Sequence, residues 1–297
     1  MSESGSQRVA IVGASSQIGQ VLIPRLEAAG YMACRIGRED RVAAEGITTH
    51  VFDELSGSFV PSLGSADAVI SLAPLPSIDV VVKMAQALGA KRIIAFGSTG
   101  RFSKLGSTSE IEQDFVVQQE RAEMLFSKHC EELSIGWTLF RPTMIYGADA
   151  DQNVYFIKSM IRKFGFFPLP LGANGMRQPV HVDDLAGACV SALGCEATIN
   201  KAYNLGGGEV LSFPVLVKRI FEAEGKRAIL IRIPMLLFSL LISIAKKFPK
   251  AAFVRKEMLE RMFQDLTADN QAAKDDFGYA PSPFYLKNKM PNQGGLV

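Results

Sequence analysis

The chain has 297 residues, 48% of them hydrophobic and 21% charged, with a formal net charge of +2. That length and composition suit a sizeable globular core with a smaller companion lobe, and they exclude a disordered or fibrous chain. A near-neutral balance without any basic run argues against nucleic acid as a partner. Cys34, Cys130, Cys189 and Cys195 are scattered, lack CxxC spacing and accompany only three histidines, so neither a metal site nor a disulfide framework is indicated. The polar opening MSESGSQR is not a secretory signal, and a cytoplasmic location is expected.

Val9, Ala10, Ile11 and Val12 read as a buried strand that stops at Gly13. A helical pattern begins near Gln17 and carries Ile18, Val21, Leu22 and Leu26. A strand feeding a helix through small residues puts the first helical N–H groups and the positive end of the helix dipole at the turn. That is an anion site suited to a dinucleotide pyrophosphate. Gly13 permits the tight turn, and Gly19 lets helix and strand approach closely. Ser15 lies in the turn, and Ser16 stands where the glycine fingerprint has its middle glycine. A serine narrows the room for the pyrophosphate but can donate a hydroxyl. A purely structural strand–turn–helix is the alternative reading.

Residues 31–36 read as a second strand ending in Gly37-Arg38. An arginine at this end suits the 2′-phosphate of NADP, whereas an acid would bind the ribose hydroxyl of NAD. NADP is therefore preferred and NAD is the second choice. A solvated charged turn (Arg38, Glu39, Asp40, Arg41) remains the plain alternative. A short strand at 48–52 leads to Asp53, whose carboxylate lies near the adenine or in an ordinary loop. A fourth strand at 68–72 is followed by Ala73-Pro74, which would pass by the cofactor. A helix at 80–88 and a fifth strand at 92–96 come next. Apolar strands alternating with helical patterns argue for an α/β fold, a doubly wound parallel sheet covered on both faces. The fifth strand runs into FGSTG and sets Ser98 and Thr99 at its carboxyl end, where open α/β sheets hold ligands. A helix at 110–130, a strand at 137–140 and the segment RPTMIYG (141–147) complete this half.

GASSQIG, the Ser98-Thr99 strand end, Ala122-Glu123, RPTMIYG, RQPVHVDDLA from Arg177, YNLGGGE and the closing FGYAPSPF occur in a fixed order over almost the whole chain. This ordered set resembles the extended short-chain dehydrogenase/reductase family, which includes nucleotide-sugar epimerases and dehydratases. The resemblance implies a Rossmann core over 1–147 that also receives 177–207, and a smaller C-terminal substrate-binding lobe within 148–297. It implies that Gly13, Ser15, Ser16, Gln17, Ile18 and Gly19 line the pyrophosphate and that Arg38 contacts the adenosine end. Asp53 would meet the adenine, and Ala73, Pro74 and Pro142 would flank the nicotinamide side. Thr99, with Ser98, falls where the family keeps its catalytic hydroxyl. Arg177 matches a position that grips a substrate diphosphate, for which a guanidinium fork is apt. Thr143 and Tyr146 would face the substrate.

One departure stands out. The family's catalytic Tyr-x-x-x-Lys pair, counted back from Ala122-Glu123, falls on Phe115 and Gln119. Phenylalanine transfers no proton, and glutamine carries no charge to lower a neighbour's pKa. No tyrosine occurs from 32 to 145 that a shifted register could recruit. Hydride transfer is the cofactor's chemistry, and general acid catalysis contributes about 10²–10⁴-fold, so a slower reductase could persist with another donor. Thr99, Ser98, Tyr146, His181 and an ordered water are the candidates; for Tyr146 and His181 the structural reading is the stronger.

The stretch 156–175 reads as a helix followed by an aromatic, proline-rich loop, in which Phe164, Phe166 and Phe167 wall a pocket or pack the lobes together. Residues 228–245, AILIRIPMLLFSLLISIA, are nearly all apolar but contain Arg232 and Pro234. The uninterrupted run is too short to span a membrane, which takes about 20 residues. It reads as a lobe helix buried on the core or, over 228–247, as an amphipathic surface resting on a membrane. The tail at 265–284 reads as helix and loop capping the lobe. Together these features point to an NAD(P)-dependent reductase or epimerase acting on a keto or hydroxyl group of a nucleotide-linked sugar. A 4-keto-sugar reductase of polysaccharide synthesis is its most specific form. A non-catalytic NAD(P)H-binding sensor or scaffold is the rival, and a lipid-like ketone is a further substrate option. By the same analogy a homodimer would form through the helices bearing Phe115 and Phe156.

Overall fold

The computed structural model describes residues 6–37, 49–51, 64–147, 151–238 and 256–286. Arg38, Asp53 and the second half of the apolar stretch, from 239 onward, lie outside the described residues.

The first half alternates strand and helix as the apolar pattern dictates. β1 (Arg8–Val12), β2 (Met32–Gly37), β3 (Thr49–Val51), β4 (Ala68–Ser71), β5 (Arg92–Phe96) and β6 (Gly136–Pro142) are separated by α1 (Gln17–Ala28), α2 (Ile78–Ala87), the short α3 (Gly100–Ser103) and α4 (Glu110–Glu132). Beyond them lie β7 (Ile145–Tyr146), α5 (Gln152–Phe164), β8 (Phe167–Pro170), β9 (Met176–Arg177), β10 (Val180–His181) and α6 (Val182–Leu193). Then come β11 (Lys201–Leu205), β12 (Leu211–Ser212), α7 (Phe213–Ala223), β13 (Leu230–Ile233), α8 (Lys256–Arg261) and α9 (Gln271–Phe277).

Among the described residues, seven strands form one parallel sheet in the order β11-β6-β5-β4-β1-β2-β3. Because side chains alternate along a strand, β1 sends Val9 and Ile11 to one face and Ala10 to the other. The first face packs against α1 (Ile18, Leu22, Leu26) and α6 (Leu185, Ala186, Cys189). The second packs against α2 (Val81, Val82, Ala85) and α4 (Ala122, Phe126, Cys130). Strand order reverses at β1, so the crevice beyond the carboxyl ends of β1 and β4 is where such sheets bind ligands.

A third cluster gathers Tyr146, Ile157 and Ile161 of α5, Phe167 and Leu169 of β8, and Leu216, Ile220 and Phe221 of α7. Asp151 starts α5 by accepting the Val154 and Tyr155 N–H groups at 2.6 and 3.1 Å.

Three expectations need correction. The aromatic, proline-rich segment after α5 is not a loop: Phe167–Pro170 pairs in parallel with Leu230–Ile233. Phe167 and Leu171 donate to Ile229 and Ile233 carbonyls, both at 2.9 Å, and the intervening Pro168 and Pro170 fall at alternate positions where no N–H is needed. Consequently the start of the apolar stretch is a strand and not a buried helix, as its β-branched run allows. Helix resumes only at 235–238. Finally, α9 caps the large sheet and not the lobe. Phe277 packs 5.9 Å from Phe140 and 5.2 Å from Tyr203, and only from Phe284 does the tail join the lobe cluster.

Candidate functional site

The turn after β1 has the geometry that its small residues require. Gly13 has φ +77°, and a Cβ on it would lie 3.2 Å from the Leu72 carbonyl carbon and 3.4 Å from Ala73 N. A Cβ on Gly19 would meet the Ala14 carbonyl oxygen at 2.4 Å, so only glycine lets α1 start this close to the turn. Ser16 is the N-cap, its Oγ accepting the Gly19 N–H at 3.1 Å. Ser15 is exposed, and its carbonyl accepts from Gln20 Nε2 at 3.2 Å. Ile18 turns its side chain into the core, so only its backbone can serve a ligand. Gln17 Oε1 is buried without a hydrogen-bond partner among the described residues. An orphaned acceptor at the first turn of a helix fits a dinucleotide, whose ribose hydroxyls donate and whose phosphates accept.

Across the crevice, β5 delivers Ser98 and Thr99. Ser98 Oγ accepts the Gly100 N–H at 3.0 Å, a role that leaves its own proton to be donated. Thr99 Oγ1 donates to the Pro142 carbonyl at 3.0 Å and must exchange that bond to reach a substrate oxygen. Phe115 stands beside this strand end: a Cβ on Gly100 would lie 3.0 Å from Ser98 Oγ and 3.4 Å from Phe115 Cε1. The Lys104 ammonium sits over the Phe115 ring, 3.8 Å from its centroid. Gln119 is buried, and its Oε1 has no partner among the described residues. Deeper on α4, the Glu123 carboxylate is clasped by Arg141 at 3.0 and 2.7 Å and by Arg101. Both guanidiniums lie over Phe102, that of Arg101 at 4.9 Å and that of Arg141 at 5.5 Å from its centroid.

These elements frame a cleft of about 610 Å³, within the range of ordinary ligand sites. The turn supplies Gln17, the strand ends supply Ser98, Thr99 and Thr143, and the lobe supplies Phe156, Phe167 and Phe213. Three cations line it, Lys104, Arg177 and Arg261, and among the described residues no carboxylate does.

The sequence-predicted residues divide accordingly. Gln17, Ser98, Thr99, Thr143 and Arg177 meet in the cleft. Thr143 Oγ1, however, donates to the Gln178 carbonyl. Pro142 is buried and serves through its carbonyl. Ala73 and Pro74 follow β4 beside Gly13. Tyr146 does not face a substrate: it is fully buried, and its hydroxyl accepts the Tyr285 N–H at 3.2 Å. Burial pushes its phenol pKa up, which makes it a weaker acid than an ordinary tyrosine. His181 caps α6, its Nδ1 accepting the Asp183 N–H at 3.2 Å, and stacks on Tyr285.

Arg177 lies in the cleft wall, but its fork is already occupied. It donates to the Met176, Gln264 and Arg261 carbonyls at 2.7, 2.8 and 2.5 Å and is 5% exposed. Burial, with the like charge of Arg261, lowers its pKa to about 10. The guanidinium therefore braces the 261–264 backbone, and the role of gripping a diphosphate directly does not fit these bonds. Lys104, Arg261 and Glu112 escaped the sequence reading. Nothing in SKLGSTSEIE or KEMLERMF separates them from ordinary surface charges; only folding brings α3, α4 and α8 together.

No family model matches the chain. Among curated proteins, 86 residues are 33% identical to the mitochondrial NADH dehydrogenase [ubiquinone] 1 alpha subcomplex subunit 9 of Arabidopsis thaliana, a match covering 29% of this chain and 21% of that protein. Solved structures agree over nearly the full length. A nucleoside-diphosphate-sugar epimerase from Pseudomonas aeruginosa superposes with a TM-score of 0.71 at 17% identity, covering 94% of this chain and 93% of its own. The UDP-glucose 4-epimerase of Thermotoga maritima, solved with UDP-glucose, gives 0.68 at 17% identity, covering 93% and 94%. That of Thermus thermophilus, in complex with NAD, gives 0.67 at 15%, covering 94% and 95%. The chain thus has the Rossmann-type fold of the extended short-chain dehydrogenase/reductases, the fold that its ordered motifs implied.

Proposed function

We propose that this protein is an atypical NAD(P)-dependent reductase or epimerase acting on a keto or hydroxyl group of a nucleotide-linked sugar, a 4-keto-sugar reductase of polysaccharide synthesis being the most specific form. The observation that carries the reading is the cleft itself, which joins the dinucleotide turn to the Ser98-Thr99 strand end and, among the described residues, is lined by cations without a carboxylate. A reduced nicotinamide, held through Gln17 and the first turn of α1, would supply a hydride to a carbonyl carbon. The chain's part is to hold the carbonyl oxygen as it gathers negative charge. Ser98, whose lone pair is already engaged by Gly100, donates a hydrogen bond to that oxygen, Thr99 adds a second by leaving Pro142, and water supplies the proton that completes the alcohol. Gln17, Ser16 and the first turn of α1 hold the pyrophosphate.

NADP(H) is preferred over NAD(H) on the strength of Arg38 in the sequence. The reading includes a Rossmann unit over 1–147 with 177–207, a substrate lobe in 148–297, and a cytoplasmic location. Exposed Ile229, Ile231, Leu236 and Leu237 support a peripheral membrane contact, and exposed Val117 and Met124, about two turns apart on α4, support a homodimer.

The test is a single-turnover assay with NADPH, then NADH, and a UDP-linked 4-keto-6-deoxy sugar. Nicotinamide oxidation by the wild type, lost in Ser98→Ala and Thr99→Val, is expected. A second reading, a non-catalytic NAD(P)H-binding sensor or scaffold, is favoured by Phe115 and Gln119 at the catalytic positions. Tight cofactor binding without oxidation would establish that reading in place of the first.

A further inference from the structure

The two sides of the cleft differ in chemistry. The sheet side presents Gln17, Ser98, Thr99 and Thr143, an amide and hydroxyls. The lobe side presents Phe156 and Ile157 of α5, Phe167 of β8, Phe213 of α7, and Met262 and Leu266 beyond α8. Ile157, Phe167 and Phe213 belong to the buried lobe cluster, and Phe156 and Met262 pack against it. The lobe core therefore reaches the cleft wall itself. Leu266 is half-buried and belongs to none of the core clusters among the described residues, yet it lines the cleft. Its backbone N–H donates to the Met176 carbonyl at 2.9 Å, which fixes it at that wall.

The polar groups on the lobe side are Asn153, Arg177 and Arg261. Asn153 is exposed. Arg177 gives its fork to three carbonyls and lies 5.3 Å from the Phe213 ring centroid, and Arg261 lies 3.3 Å from Glu112. A sugar ring pressed against this wall would set hydroxyls on aromatic and aliphatic groups, and a hydroxyl withdrawn from water without a partner is costly. A hydrocarbon body meets no such cost and gains in proportion to the area it removes from water. Apolar walls facing a few convergent donors suit a ligand with one polar atom and an apolar remainder.

We propose that the lobe half of the cleft is a chamber for the apolar body of a ketone whose carbonyl lies at the Ser98-Thr99 strand end, and that the protein reduces such lipid-soluble ketones. The inference rests on the cofactor turn and the hydride chemistry proposed above, and it extends the substrate class from nucleotide-linked sugars to apolar carbonyl compounds. The carbonyl carbon takes a hydride from the reduced nicotinamide, which is thereby oxidised. The π pair moves to the oxygen, held by the Ser98 and Thr99 hydroxyls, and water gives the proton that completes the alcohol.

The probes are 2-hexanone, 2-octanone and 2-decanone, titrated by calorimetry into the full chain in excess NADP+, where no hydride can pass. NADPH is titrated in parallel by its fluorescence. Affinity should rise about fourfold for each methylene buried, until the chamber is full. Leu266→Asn and Met262→Gln should each weaken 2-octanone about fivefold or more and leave NADPH binding unchanged; the second keeps the length of the side chain it replaces. With NADPH in place of NADP+, 2-octanone should be reduced, as read by loss of nicotinamide absorbance. Protein that binds NADPH and reduces the UDP-linked keto sugar, but binds no ketone of the series, would overturn the chamber and leave the sugar reading standing. Binding of neither NADPH nor ketone would remove both. Affinity independent of chain length, or unchanged in both variants, would also overturn the chamber. Chain-length-dependent binding without NADPH oxidation would overturn the reduction.

Discussion

Helix α4 carries two buried carboxylates, Glu112 and Glu123, about three turns apart and so on one face. Each lies between two cations, and they are almost equally buried, at 8% and 7% exposure. Their surroundings differ. Glu123 has both oxygens hydrogen-bonded, with Arg141 and Arg101 closing on it and Phe102 beneath the guanidiniums. Glu112 meets its partners at separations too long for good hydrogen bonds, one of them on the far side of the cleft. Burial and charge count alone would rank the two together. Partner geometry separates a carboxylate clasped through both oxygens from one held at longer separations.

The sharpest break of this comparison is Glu123→Ala. Removing one member of a closed buried network leaves Arg101 and Arg141 uncompensated, and should cost about 3–5 kcal/mol in urea unfolding. Next is Arg177→Met, which strips a charged donor from three carbonyls and should cost about 1.5–3 kcal/mol by the same measurement. If Arg177 were chiefly a ligand grip, its replacement would weaken UDP binding at little cost in stability.

The lobe's Glu209–Arg219 pair is tight like Glu123 but more exposed, and should matter less, by about 0.2–1 kcal/mol after solvent screening. Arg219 holds the Glu209 carboxyl below its ordinary value of 4.5. Its contribution is therefore complete above that pH and is lost as pH falls through the depressed folded value. Unfolding followed downward through that window should show a slope that Glu209→Gln flattens. Glu112→Gln should have the smallest effect on stability, within about 0.5 kcal/mol. A loss as large as that of Glu123→Ala would erase the distinction.

Much of the sheet was legible because period and punctuation act locally. Val9 to Val12, Gly13 and Gly19 state a strand, a turn and a close approach within one short segment, and the structure has each. The lobe was misread where two distant segments decide each other's state. Phe167–Pro170 resembles a loop until Leu230–Ile233 pairs with it, and the apolar stretch resembles a helix until that strand is found. The site divides along the same line. Ser98, Thr99 and Gln17 follow from their positions at strand ends and turns. Glu112, Lys104 and Arg261 are united by tertiary packing, and Arg177 lost its expected role to carbonyls contributed by a segment more than eighty residues away.

The claim on which the account depends is that the turn after β1 holds a dinucleotide pyrophosphate. Ser16→Asp tests it most directly, because aspartate caps a helix as well as serine does and suits the helix dipole. It also sets a negative charge against the pyrophosphate. The measurement is the fluorescence of NADH and NADPH titrated into wild type and variant, beside their thermal unfolding midpoints. The account predicts saturable binding to the wild type, and binding weakened about tenfold or more in Ser16→Asp with an unfolding midpoint no lower than that of the wild type. Equal affinity in the two proteins, or no binding by the wild type, would contradict it.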